Sequence, residues 1–180
     1  DMEYIERRIE RVAKSAKSGD KSLLKEKGFL EKLLYHLANE RPARTYSLDE
    51  SEIPFTKELW LLSSKPVLYV ANISEDDIGT VPEEAKKLQD YAQNENAEVV
   101  MVSAKIEEEF QSLEPEEAAE FMASLGMEQS GLDSIISASY KLLGLISFLT
   151  IGEDEIRAWT IKQGTKAPQA AGKIHTDFER

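Results

Sequence analysis

The sequence predicts an α/β fold: part of a parallel sheet in the middle, an antiparallel helical hairpin before it, and a strand pair with a short helix after it. Three observations carry this. Val67-Leu68-Tyr69-Val70-Ala71 and Glu98-Val99-Val100-Met101-Val102 are short apolar runs with a helix-length stretch between them, as adjacent parallel strands require. Ile5, Ile9, Val12 and Ala16 recur at three- and four-residue spacing, and Leu23, Leu30, Leu34 and Leu37 again line one helical face. Leu145 to Ile151 and Ile156 to Lys162 read as strands joined by the short turn Gly152-Glu153-Asp154-Glu155.

In chain order, the first helix should end at Ser18-Gly19-Asp20, with Gly19 suited to close it and Asp20 able to cap the next. Two amphipathic helices joined so tightly should fold back antiparallel as a coiled-coil-like arm. Helices of about 16 residues are ~24 Å long, enough to reach away from a body. Arg41-Pro42 should end the arm, because proline disfavours helix in the residue before it. Ser51 to Leu62 is expected to form another helix, with Leu59, Trp60 and Leu62 in the core. Pro82 should start a helix over Glu83–Asn94. Glu107 to Leu113 and Pro115 to Leu125 read as acidic, solubilising helices, and Glu107-Glu108-Glu109 spreads around a helix instead of converging on a metal. Gly131 leads into Leu132–Leu143, whose Ile135, Ile136, Ala138 and Leu142 should pack on the sheet. A short helix should cover Pro168 to Ile174. The expected domains are a helical hairpin over 1–46, an α/β part over 47–143 and a third module beginning at 144–180.

Chemistry concentrates at the ends of the two central strands. Open α/β sheets bind ligands just beyond the carboxyl ends of their strands. There, Asn72-Ile73-Ser74-Glu75 follows the first and Ser103-Ala104-Lys105 the second. Asn-x-x-acid and Ser-Ala-Lys in this order have the spacing of the two base-reading loops of a GTPase-type domain. Guanine selection uses Asn-Lys-x-Asp, whose carboxylate accepts from the guanine ring N–H and exocyclic amine. Adenine presents an amine beside an unprotonated ring nitrogen, which would repel a carboxylate. With Ile73 in place of lysine and the longer Glu75 in place of aspartate, guanine selection should be lost. Asn72 and the Ile73 backbone could then take the adenine amine while the Ile73 side chain packs on the base. The alternative is that Asn72 makes an ordinary Asx turn and Ser74 to Asp77 cap a helix.

The strand with Asn72-Ile73-Ser74-Glu75 resembles the YchF family of Obg-related P-loop nucleotide hydrolases, the Obg-like ATPases. So do Val102-Ser103-Ala104-Lys105-Ile106-Glu107, Glu155-Ile156-Arg157-Ala158-Trp159-Thr160-Ile161 and, most clearly, Gly164-Thr165-Lys166-Ala167-Pro168-Gln169-Ala170-Ala171-Gly172-Lys173-Ile174-His175-Thr176-Asp177-Phe178-Glu179. The last is similar to the opening of the β-grasp TGS domain. The resemblance covers about Met2 to Arg180 and is strongest beyond Lys65. It implies the parallel-sheet part of a P-loop GTPase-like domain, an inserted helical arm, and the start of a TGS module. It also implies ATP hydrolysis, with ATP preferred over GTP, and association with the ribosome or ribosomal RNA. Asn72, Ile73 and Glu75 would hold the base from one loop while Ser103, Ala104 and Lys105 close from the other through backbone N–H donors.

No Gly-x-x-x-x-Gly-Lys-Ser/Thr occurs in these residues, so they offer no such cradle for phosphates. The expectation is an internal fragment with the base-recognition loops, inactive alone, whose catalytic groups and Mg2+ site lie elsewhere. A TGS module cut at Arg180 would lack its later strands and leave an open edge.

Composition fits a cytoplasmic protein. Hydrophobic residues make up 41%, close to ordinary globular proteins. There is no cysteine for a disulfide or a cysteine-ligated zinc, and no signal-like start. No apolar run reaches the roughly 18 residues of a membrane span. The net charge of −12 is uneven. Residues 1–44 hold 11 Lys and Arg against 8 Asp and Glu, residues 45–156 hold 6 against 24, and residues 157–180 hold 5 against 2. Basic ends permit RNA contact while the acidic middle repels phosphate. No DNA sequence specificity is expected. Arg7, Arg8, Arg11, Lys14 and Lys17 could equally be the solvated face of a helix. His36 should be surface or packing, and His175, beside Thr176 and Asp177, should order a loop; with no second His or Cys nearby a metal role is weak. No nucleophile elbow supports a serine triad. Against the hydrolase reading stands a non-catalytic module that binds RNA or protein through its arm and TGS-like end.

Overall fold

The computed structural model describes residues 1–16, 20–152 and 155–179, in two units, Asp1–Pro66 and Val67–Arg180. Lys17, the expected break at Ser18 and Gly19, the turn residues Glu153 and Asp154, and Arg180 lie outside the described residues.

In the first unit, α1 (Met2–Ser15) packs on α2 (Lys21–Ala38) through the stripes their periodicity predicts. Ile5, Val12 and Ala16 are buried on α1, and Phe29, Leu30 and Leu33 on α2, with Ile9, Leu23, Leu34 and Leu37 partly buried around them. The Asp20 carboxylate accepts from the Ser22 N–H at 2.7 Å, the cap its position requires. Phe29 and Leu33 extend the expected leucine stripe, and Phe29 meets the rings of Tyr46 and Phe55 at 5.9 and 6.1 Å.

Residues 47–66 close this core instead of forming the expected helix. Only α3 (Ile53–Thr56) is helical there, followed by turns and a 3₁₀ turn over Leu62–Ser64. Leu61 is buried and Phe55 and Leu59 pack against the core, whereas Trp60 is 88% exposed and Leu62 72%. The apolar density was right, but the chain is irregular here, so the buried positions do not follow helical spacing. The Asp1 carboxylate fastens this segment by accepting from Leu62 N–H, Ser63 N–H and the Ser63 hydroxyl at 2.6–2.9 Å.

Arg8 is not a solvated cation. Its guanidinium donates to Glu26 and Glu58 at 2.7–2.9 Å and is only partly exposed. Burial works against its charge, but the Glu58 and Glu26 hydrogen bonds prevail and raise its pKa. Arg7, Arg11 and Lys14 remain exposed. His36 has the packing role expected of it: Nε2 lies 2.9 Å from Thr45 Oγ1 and 3.2 Å from Pro42 O, and the ring meets Tyr46 edge-on.

In the second unit, β1 (Leu68–Asn72) pairs in parallel with β2 (Glu98–Val102), through α4 (Glu83–Asn94). A parallel pair needs such a crossover. Glu95 joins the layers, accepting from Tyr69 OH and Tyr91 OH at 2.9 Å each. β1 is not covered on both faces as its apolar run predicts: Val70 is 45% exposed. The described sheet has two strands, and α4 and α7 (Gly131–Leu142) contact it. Ala138 of α7 is buried, whereas Ile136, expected on the sheet, is exposed. α5 (Ala104–Gln111) and α6 (Pro115–Ser124) lie where the acidic helices were expected.

β3 (Leu145–Ile151) and β4 (Ile156–Lys162) form the expected antiparallel pair, with Leu145 opposite Lys162 and Ile151 opposite Ile156. Trp159 Nε1 donates to Thr150 Oγ1 across the strands at 2.9 Å, and Arg157 lies 4.3 Å over the indole. α8 (Ala167–Gly172) and a 3₁₀ turn over Thr176–Glu179 follow. His175 orders this end: Nδ1 accepts from the Asp177 N–H at 3.3 Å, and the ring meets Phe178.

Candidate functional site

The register of the parallel pair fixes where the two loops begin. Asn72 lies opposite Val102 at the carboxyl ends of both strands, and Ile73 N–H donates to Val102 O at 2.8 Å. Asn72-Ile73-Ser74-Glu75 and Ser103-Ala104-Lys105 therefore leave the sheet side by side. Residues far apart in the sequence are brought together by strand pairing.

Two side-chain contacts join the loops. Asn72 Oδ1 accepts from the Ala104 N–H at 3.0 Å. The Asn72 side chain thus crosses to the other loop and does not close an Asx turn on its own. Lys105 Nζ donates to both carboxylate oxygens of Glu75 at 2.7 Å. The Glu75 hydrogen bond and then its charge raise the Lys105 pKa, with Glu109 and Asp76 adding smaller contributions. Both side chains stay open to solvent, at 63% and 40% exposure. Glu75 opens a 3₁₀ turn, Glu75–Asp77, to which Ser74 gives no side-chain cap.

Ser103 behaves differently from its neighbours. The residue is 6% exposed, and its hydroxyl has no hydrogen-bond partner among the described residues. It occupies the position before α5 without capping that helix. A buried hydroxyl left unpaired is costly. The first N–H groups of α5 have no acceptor within the helix. Ala104 uses one of them on Asn72.

Glu107, expected on a solubilising face, is structural. Its carboxylate accepts from Gly131 N–H at 2.6 Å and Leu132 N–H at 3.2 Å, capping the start of α7. Gly131 is needed there, because a Cβ at that position would lie 2.7 Å from Val102 Cγ1. Val102 is the last residue of β2, so this contact braces the strand from which the Ser103 loop departs. The sequence signal was present in Gly131 and Glu107, but only the fold shows that they meet. Among the described residues, no group of three or more His, Cys, Asp or Glu is placed to hold a metal ion, and no helix is long and apolar enough to cross a membrane.

The chain is similar to known proteins over its full length. It is 50% identical over 182 residues to the protein named ribosome-binding ATPase YchF of Bacillus subtilis (strain 168), covering all of this chain and 50% of that one. It is 44% identical to the ribosome-binding ATPase YchF of Escherichia coli O157:H7, covering all of this chain and 49% of that one. The solved structure of the Schizosaccharomyces pombe YchF GTPase superposes with a TM-score of 0.86 at 34% identity, covering 99% of this chain and 50% of that one. Residues 145–180 match the family YchF-GTPase_C, described as a protein of unknown function (DUF933). The chain thus spans about half the length of the relatives it matches, and its α/β fold is similar to that of a solved YchF protein.

Proposed function

From the homology of this chain to YchF proteins along its whole length, we propose that it supplies the base-recognition loops of a ribosome-associated, cytoplasmic nucleotide hydrolase that takes ATP in preference to GTP. The observation that carries this reading is the pairing of the two loops at the carboxyl ends of β1 and β2 through Asn72 and Ala104. That is where a doubly wound sheet holds its ligand. Asn72 meets the edge of the base, the Ile73 side chain packs on its plane, and Ser103, Ala104 and Lys105 close the other side. The buried Ser103 hydroxyl, which has no hydrogen-bond partner among the described residues, fits a loop that completes its hydrogen bonding with a ligand. ATP bound here would bring the phosphoryl group to be hydrolysed; this chain's own residues bind and orient its base. Phosphate and Mg2+ would be held mainly by residues outside this chain.

Residues 1–46 are read as a coiled-coil arm, 47–143 as the carboxyl-terminal part of the nucleotide domain, with 47–66 packed in one unit with the arm, and 144–180 as the start of a TGS module. The ribosome is the proposed partner because the relatives named above carry that partner in their names. On the arm, exposed Arg11 and Lys14 are the cations that suit RNA phosphate, while Arg7 is paired with Glu3 at 3.1 Å and Glu6 and Glu10 are exposed on the same helix.

The test is calorimetric titration of the protein at its full natural length with ATP and with GTP, beside the double change Ile73→Lys with Glu75→Asp. ATP should bind more tightly than GTP, and the double change should reverse that order. Binding of neither nucleotide would replace this reading with that of a non-catalytic RNA- or protein-binding module.

A further inference from the structure

Glu75 stands where a base-reading carboxylate would be expected, but both its oxygens are committed elsewhere. Lys105 Nζ donates to each at 2.7 Å, in a two-point contact that fixes the direction of the carboxylate as well as its charge. An ammonium is a compact point donor that can satisfy both oxygens at once. Glu109 and Asp76 are also close enough to Lys105 to act on its charge, yet its hydrogen bonds go to Glu75. The pair spans the two loops, one residue on each, beside the Asn72–Ala104 contact.

We infer that Lys105 is a specificity-determining residue that acts through Glu75, holding its carboxylate off the base edge so that the loop cannot read guanine. This rests on the base-recognition reading of the two loops. Guanine offers two adjacent donors, and a free carboxylate would accept both. Adenine offers a lone-pair nitrogen at the same place, and an unneutralised carboxylate would repel it. Capture of Glu75 by Lys105 removes the acceptor that favours guanine and the negative charge that disfavours adenine. Lys105 is then a positioning residue, and the Glu75 it holds is withheld from the base.

The experiment compares ATP and GTP affinities of the full-length protein with those of Lys105→Met, which keeps the stem and removes the ammonium. The ATP-to-GTP affinity ratio should fall in Lys105→Met by roughly two- to five-fold, a modest change because the pair is exposed. It should be restored by adding Glu75→Gln, and retained in Lys105→Arg. Added salt should lower the ratio in the wild type and leave that of Lys105→Met unchanged, since exposed pairs are screened. A Lys105→Met ratio equal to the wild type, or equal losses for both nucleotides, would overturn the inference while leaving the base-recognition reading in place. A wild type that binds neither nucleotide would overturn both.

Discussion

The two units hold themselves together by different means. In Asp1–Pro66, large side chains close on one another: Ile5, Phe29 and Leu30 are completely or almost completely buried, and ion pairs such as Arg8–Glu26 line the rim. In Val67–Arg180 the buried hydrophobic residues are mostly smaller and more scattered, namely Ala85, Ala92, Val100, Ile106, Ala138 and Ile161. Polar contacts position its loops instead: Asn72 to Ala104, Lys105 to Glu75, Glu107 to the start of α7. Large buried side chains give stability by area removed from water. Hydrogen bonds contribute less net stability but specify direction. The difference suits a helical unit that keeps its shape and the recognition role proposed for the strand ends of the α/β unit.

The largest effect that would test this contrast is Phe29→Ala. Its ring is 2% exposed and meets Tyr46 and Phe55, so truncation should destabilise the first unit by about 3–5 kcal/mol. Denaturant unfolding followed by the far-ultraviolet circular dichroism of the helices would report it. A loss below about 1 kcal/mol would mean that the cavity collapses freely and that this core is no tighter than the other.

The next effect probes the second unit. In Gly131→Ala the new methyl would meet Val102 Cγ1 at 2.7 Å and Val102 Cβ at 2.9 Å, and a β-branched strand residue has little freedom to yield. The expected cost is ~1–3 kcal/mol, from overpacking, not from a cavity. Amide exchange should also quicken at Val102 to Lys105, where the Ser103 loop leaves β2. Unchanged exchange there would show that α7 does not brace the site.

How much of this was legible in the sequence follows the same division. Periodicity locates α1 and α2, short apolar runs locate β1 and β2, and two apolar stretches around a short turn locate β3 and β4. Over Ser51 to Leu62 the same residues misled: Pro54 is tolerated at the start of α3, but the chain then turns, and Trp60 points to solvent while Leu61 is buried. Hydrophobicity alone cannot order neighbours in an irregular segment. At the site, the motifs marked Asn72, Ile73, Glu75, Ser103, Ala104 and Lys105, and strand register places their loops together. The Lys105–Glu75 contact and the capping of the α7 backbone by the partly buried Glu107 are long-range contacts of charged side chains. No spacing rule distinguishes such a residue from a solubilising one.

The smallest effect separates buried from exposed charge within the first unit. Glu52 is 5% exposed; its carboxylate accepts from Lys32 at 2.9 Å, from Tyr46 OH at 3.3 Å and from Asp49 N–H at 3.3 Å. Burial pushes its pKa up, but the Lys32 and Asp49 hydrogen bonds outweigh it, so the folded carboxyl titrates below its ordinary 4.5. A depressed folded pKa gives stability that is fully present above the unfolded value and is lost as pH falls through the folded one. Glu52→Gln should therefore cost ~1 kcal/mol near neutrality, where the charged hydrogen bonds are lost. That difference should shrink steadily as the pH is lowered below 4.5, where the wild-type carboxylate itself becomes protonated. Unfolding curves of both proteins across that window would show it. A difference independent of pH would mean that Glu52 acts through its shape in the core and that its charge contributes nothing.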